Sequence, residues 1–234
     1  MGHKKLIRFE EIKTFPNVLI FPKDIKGEWA TKHFQNNLPL TLELACGKGE
    51  YTVGMARRFK NKNFVGVDIK GNRIWKGAKI ALEDEVSNAA FLRIQIDHIA
   101  DYFAENEVAD IWITFPDPFL RKSKAKKRLT HLRFLHHYKK ILQPEGRIHL
   151  KTDSPELYEF TQEVIAENNC ILHKNLSDVY ANEPNELLKI KTFYEKMHLE
   201  DGRTIRYLEF SLPEVLPEWP KKLKKDESRE EQGQ

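Results

Sequence analysis

Apolar positions along the chain fall into two alternating patterns. Short, nearly continuous apolar runs occur at residues 40–44, 63–67, 90–95, 110–115 and 147–151. Between them lie longer stretches with apolar residues three and four apart, at 50–59, 72–86, 98–104, 131–142 and 155–168. The first kind predicts strands buried on both faces, the second amphipathic helices. Strands alternating with helices predict a parallel sheet covered on both sides. A late run, 203–212, has no helix behind it and is expected to pair antiparallel within the sheet. Asp153-Ser154-Pro155 supplies a capping residue and then a proline for the first turn of the 155–168 helix.

The pattern also divides the chain. Residues 1–36 are mixed and broken by Phe15-Pro16 and Phe21-Pro22, so they read as an N-terminal extension with one short helix. Residues 37–216 carry the repeating pattern and form the domain. Residues 217–234 hold prolines and then a dense mixture of charges, which predicts a solvated, disordered tail. With 234 residues and 40 % hydrophobic content the chain can bury a sizeable core. Its formal charge of +4 is modest, but the excess is concentrated between residues 121 and 140. Cys46 and Cys170 are far apart, which suggests neither a disulfide framework nor a zinc site and suits a reducing, cytoplasmic setting. No apolar leader opens the chain and no window approaches the ~18 apolar residues of a membrane span, so no membrane partner is expected.

Chemistry concentrates at the end of the 110–115 strand. There Thr114-Phe115-Pro116-Asp117-Pro118-Phe119 fixes one acid between two prolines, and six of the eight residues from Arg121 to Arg128 are cationic. A held carboxylate beside a cationic segment suggests a reaction on a polyanion, against the plain alternatives of a rigid turn and a solvated face. The first strand-to-helix turn reads Glu43-Leu44-Ala45-Cys46-Gly47-Lys48-Gly49. Gly47 and Gly49 let the backbone turn tightly and approach a ligand. Asp68 ends the next strand, where a carboxylate can accept from both ribose hydroxyls. A dinucleotide fingerprint fails because its third glycine position is Thr52. S-adenosyl-L-methionine fits better, since Glu43 ahead of the glycines suits the cofactor's ammonium and sulfonium. Asp97, after the third strand, either accepts from the adenine amino group or caps the following helix.

These residues resemble the tRNA (guanine-N7-)-methyltransferases of the TrmB type. The resemblance rests on the glycine turn, Asp68, the Phe-Pro-Asp-Pro-Phe element with its basic run, Leu150-Lys151-Thr152-Asp153, Thr192-Phe193-Tyr194-Glu195 and Ile205-Arg206-Tyr207-Leu208-Glu209-Phe210, and runs from about residue 15 to residue 211. It implies a Rossmann-like class I methyltransferase fold, with a mostly parallel seven-stranded sheet and an antiparallel late strand. It implies methyl transfer from S-adenosylmethionine to N7 of a guanosine in the variable loop of tRNA. Separately, the cysteine and histidine pattern leads to no expected metal, and the chain is expected to be a monomer or homodimer. Glu43, Gly47, Gly49, Asp68, Asp97 and Asp117 would contact the cofactor, with Asp117 nearest the chemistry. Arg121, Asp153, Thr192, Phe193, Tyr194 and Glu195 would contact the substrate. Three positions depart from the family pattern. Ala45 replaces a glycine, which is harmless if its φ is negative; Phe119 replaces Trp; and Arg121 replaces Lys.

N7 of guanine carries an exposed lone pair on the major-groove edge and needs no deprotonation before it attacks a methyl sulfonium. The site therefore needs in-line placement and a carboxylate, not a strong base. Asp117 either stabilises the charge that develops on the purine or accepts from guanine N1–H and N2–H. Asp153 and Glu195 are the further candidates for selecting guanine, Asp153 against the plainer role of helix cap. His131, His136 and His137 are assigned no catalysis. Trp75 and Trp112 read as core, and Tyr194 as a surface for stacking a base.

Overall fold

The computed structural model describes residues 3–219. Its eight strands are β1 (Val18–Ile20), β2 (Leu40–Leu44), β3 (Asn63–Val67), β4 (Ala89–Arg93), β5 (Val108–Thr114), β6 (Leu142–Thr152), β7 (Ile171–Leu176) and β8 (Arg206–Ser211). They form one sheet in the order β1-β4-β3-β2-β5-β6-β8-β7. Only β8 runs against its neighbours. Six helices accompany the sheet: α1 (His3–Glu11), α2 (Glu50–Arg58), α3 (Gly71–Glu83), α4 (Leu132–Lys139), α5 (Pro155–Glu167) and α6 (Phe193–Glu200). The strand order reverses between β2 and β5, so a crevice opens beyond their carboxyl ends.

Side-chain alternation along the central strands builds two cores. Leu42, Leu44, Ile111, Ile113, Ile148 and Leu150 face one layer, with Phe134 and Tyr138 of α4 and Leu157 of α5. Trp112, Phe64, Phe91 and Tyr207 face the other, with Tyr51 and Met55 of α2, Ile74 of α3, and Leu188 and Ile190 of the connection before α6. All five residues of β2 are buried, and so are all five of β3, which explains their continuous apolar sequence.

Helix starts follow local chemistry. Ser154 accepts the Leu157 amide at 3.1 Å, with Pro155 in the first turn, so Asp153 is not the cap of α5. His131 caps α4 by accepting the Arg133 amide through Nδ1 at 3.1 Å, which gives that histidine a structural task.

Several elements depart from the expectations. The sheet has eight strands because β1, three residues within the stretch read as an extension, pairs in parallel with β4. That stretch also supplies Trp29, 1 % exposed, stacked on Phe103 at 5.2 Å and donating to the Tyr102 carbonyl at 3.0 Å. Half-buried Trp75 is not core; it donates to Glu11 and lies under Arg8 at 4.6 Å, tying α1 to α3. The helix expected at 98–104 is a tighter, kinked turn over Ile96–Asp101. The helix expected at 131–142 stops at Lys139, because β6 already starts at Leu142. β6 is longer than the expected 147–151 run, taking in Gln143-Pro144-Glu145-Gly146 beside a register shift against β5. The expected tail falls mostly on residues 220–234, outside the described residues. Of its first residues, Pro217 accepts through its carbonyl from His136 Nε2 at 2.9 Å, and Trp219 packs edge-on to His131 at 4.7 Å.

Trp29→Ala should lower unfolding free energy by about 3–5 kcal/mol, measured by urea denaturation, because it empties a buried aromatic site. A change below about 1 kcal/mol would mean that the N-terminal segment is only appended to the domain.

Candidate methyl-transfer site

The crevice is built around one buried acid. Glu43 points from β2 to the side opposite Leu42 and Leu44 and is 1 % exposed. Its carboxylate accepts the Thr52 amide at 2.7 Å and the hydroxyls of Thr52 and Thr114. It thereby joins the first turn of α2 to the end of β5 across the point where the strand order reverses. Burial pushes its pKa from 4.5 up to about 7, against the pull of those hydrogen bonds.

The turn above it is tightly shaped. Gly47 and Gly49 adopt φ of +56° and +69°. A Cβ on Gly49 would lie 2.4 Å from the Phe91 ring, so that glycine is required by space as well as by conformation. Ala45 also has a positive φ, +56°, which overturns the expectation that alanine sits there without strain. A left-handed alanine costs about 1–2 kcal/mol. Asp68 holds the turn through the Gly47 amide at 3.0 Å and also accepts the Lys70 amide at 2.8 Å. Cys46, in the same turn, is buried, and burial drives its thiol pKa well up, so it is no nucleophile.

The opposite lip is the Phe115–Phe119 loop. Phe115 and Phe119 have φ of +47° and +43°, an uncommon conformation for aromatic residues, on either side of Pro116-Asp117-Pro118. Asp117 is exposed, and its Oδ1 accepts the Phe119 amide at 3.1 Å, so the acid both shapes the loop and faces outward. Arg128 is buried beneath the loop, where it donates to the carbonyls of Pro118 and Phe119 at 3.0 and 3.2 Å and covers the Phe160 ring at 4.4 Å. It anchors the loop rather than joining the cationic surface. Arg121 is exposed, and Lys122–Lys127 forms a short helical turn with no buried residue.

Glu43, Gly47, Thr114, Phe115, Thr192 and Tyr194 line one cleft of about 60 Å³, together with Lys48 and Arg73. That is smaller than the several hundred Å³ typical of a cofactor pocket. It has room for only one end of a nucleoside cofactor, such as its amino-acid group. Two features of the cleft would fit such a group, a buried acid for an ammonium and a glycine turn open to close approach at Gly47. Asp97 is turned toward α4 and paired with Arg133.

The Thr192–Glu195 element is a helix start. Thr192 accepts the Glu195 amide at 3.1 Å as the cap of α6. Glu195 is fully buried, so it offers no carboxylate to a base; it pairs with the equally buried Lys151 at 2.7 Å and accepts from the Tyr180 hydroxyl at 2.6 Å. Lys151 also donates to the carbonyls of Leu188 and Ile190 at 2.8 and 3.1 Å. Burial lowers the Lys151 pKa, with Glu195 opposing that shift. This cluster fixes α6 over the end of β6, leaving Phe193 and Tyr194 outside, where Lys48 lies 4.0 Å from the Phe193 ring. Asp153 receives Arg203 at 2.8 Å and has His198 at 3.7 Å. Thr52, Thr114, Lys151 and Tyr180 were missed as site builders. The Thr-x-x-Glu spacing at 192–195 was the signal for α6.

Two outcomes follow. Glu43 has a raised pKa when folded, so its contribution to stability is full below about pH 4.5 and is lost as pH rises through about 7, on the order of 3 kcal/mol in all. Glu43→Gln should flatten the fall in urea midpoint across that window; an unchanged slope would contradict the assignment. Lys151→Met or Glu195→Gln alone should cost about 3–5 kcal/mol, and Lys151→Met/Glu195→Leu together much less, because only the single changes strand a buried charge. Equal, additive costs would show that the two side chains are not coupled.

Known proteins match this chain along its length. A sequence model of a family described as putative methyltransferase matches residues 37–208. A tRNA (guanine-N(7)-)-methyltransferase of Porphyromonas gingivalis is 48 % identical over 215 residues, covering 87 % of each chain. One from Christiangramia forsetii is 46 % identical over 224 residues, 91 % of this chain and 100 % of that one. Among solved structures, the 16S rRNA methyltransferase KamB superposes with a TM-score of 0.60 at 16 % identity, covering 80 % of this chain and 94 % of that one, a likeness of fold. Family model and relatives agree with the crevice and its glycine turn: the chain belongs to the tRNA (guanine-N(7)-)-methyltransferase family.

Proposed function

We propose that the protein transfers the methyl group of S-adenosylmethionine to N7 of a guanosine in the variable loop of tRNA. The observation that carries this reading is the meeting of the Glu43-braced glycine turn and the strained Asp117 loop at the one point where the strand order reverses. The cofactor supplies an electrophilic methyl on a sulfonium. Glu43, kept near neutrality by burial, ionises when a cationic ammonium arrives, while the main chain at Gly47 and Gly49 lies alongside. Asp68 accepts from the ribose hydroxyls and Asp97 from the adenine amino group, sharing its charge with Arg133.

On the substrate side the protein has to position a base that is already nucleophilic. Asp117 has one oxygen committed to its own loop, which leaves the other for the purine, either against developing charge or on N1–H and N2–H. Tyr194, exposed at the cleft, stacks the base, and Asp153, held by Arg203 just after β6, has His198 3.7 Å away, whose ring stacks on Tyr194 at 6.5 Å. Arg121, Lys124, Lys126 and Lys127 meet phosphates. No group in the site has to act as a strong base.

Asp117→Asn should keep the fold and lower methyl transfer by on the order of 100-fold, measured as initial rate on tRNA. Near-normal turnover would reduce Asp117 to a loop former. Borohydride reduction and aniline scission of the product, which cleave RNA at 7-methylguanosine, should break tRNA within the variable loop. Scission elsewhere would contradict the proposed target.

A further inference from the structure

A second cationic surface lies on the sheet layer opposite the basic segment. The 121–128 segment rests against the layer of α4 and α5, through Arg128 on Phe160. On the other layer, α2, α3, the connection before α6 and α6 itself enclose an open hollow of about 630 Å³. Its cations are Arg57, Arg58, Lys76, Lys189, Lys191 and Lys196. They come from four separate stretches of sequence, so no charge run announces them.

Not all of this charge is free. Arg57 pairs with Asp84, Arg58 lies 4.0 Å from Glu186, Lys76 pairs with Glu50, and Lys189 pairs with Glu183 and Glu186. Lys191 and Lys196 are exposed and, among the described residues, have no carboxylate within 4.0 Å. Glu50 lines both the hollow and the cleft, so the two adjoin at that residue. Its carboxylate is fixed by the Phe193 amide at 2.6 Å and Lys76 at 3.1 Å. Phe193, half exposed, stands at the junction under Lys48.

We infer that the hollow is a second contact surface for the RNA backbone, so that the substrate straddles the crevice with phosphates on both layers of the sheet. This rests on the reading of tRNA as substrate. A duplex arm presents phosphates on either side of a groove, and a site whose cations lie on one layer only would let the arm pivot about the target base. Lys196, and Lys191 with its Nζ 4.6 Å from the Tyr180 ring, meet the phosphates on the far side from a concave wall that adjoins the cleft. The aromatic edge at Phe193 offers a face for an unstacked base at the boundary.

The test is binding of tRNA by the full chain against salt concentration, for wild type, Lys191→Ala/Lys196→Ala and Lys191→Glu/Lys196→Glu. Equal urea midpoints for all three show that folding is unaffected. Two lost phosphate contacts should reduce the slope of log affinity against log salt by about 1 to 2, taking the B-DNA value as guide. The wild-type advantage over the alanine pair should then be roughly tenfold greater at about 50 mM than at about 200 mM salt, and the glutamate pair should bind more weakly still. Identical slopes would make the hollow a solvated face and overturn the inference. If wild type forms 7-methylguanosine while the slopes agree, the second surface alone falls. If wild type forms none, the substrate reading falls, and the inference with it.

Discussion

A single buried carboxylate holds the crevice together. Glu43 accepts three donors from two elements that meet nowhere else in sequence: the amide and hydroxyl of Thr52 on α2, and the hydroxyl of Thr114 at the end of β5. The parallel order places β2 beside β5, but their following segments diverge to opposite layers. Without a bridge at that fork the glycine turn and the Asp117 loop would be joined only by strand pairing below them. Desolvation opposes the ionised acid and raises its pKa to about 7, so the position is costly for stability.

A second buried charge does the corresponding work at the end of β6. Lys151, at the end of β6, gathers Glu195, Leu188 and Ile190 and so draws the connection and α6 onto the sheet. All the polar groups it meets are acceptors, which is the condition under which a buried ammonium is tolerated. The result is a frame in which polar interiors fix main chain, while the side chains of Asp117, Phe193 and Tyr194 stay exposed.

The central strands and the helices α2, α3 and α5 were legible because burial on both faces and amphipathic spacing leave strong periodic signals. β1 and β7 were not: each is an edge strand, one only three residues long and the other largely exposed with the polar sequence His173-Lys174-Asn175. At the site, the positions of Glu43, Asp68 and Asp117 at strand ends followed from the alternation of strand and turn. Their partners did not, since threonine hydroxyls and the Arg133 contact to Asp97 arise only from packing. Glu195 was misjudged because a carboxylate in a long connection looks exposed until the lysine that meets it is known to be buried. The hollow was invisible for a similar reason: its cations are scattered over about 140 residues.

The identity of the modified nucleoside tests the assignment of the crevice most directly. Purified protein incubated with methyl-labelled S-adenosylmethionine and tRNA lacking the modification, followed by complete digestion and separation of nucleosides, reads it directly. The structure and its relatives predict label in 7-methylguanosine alone. Label in another nucleoside, or none in tRNA with a folded and cofactor-bound protein, would contradict the assignment of the crevice.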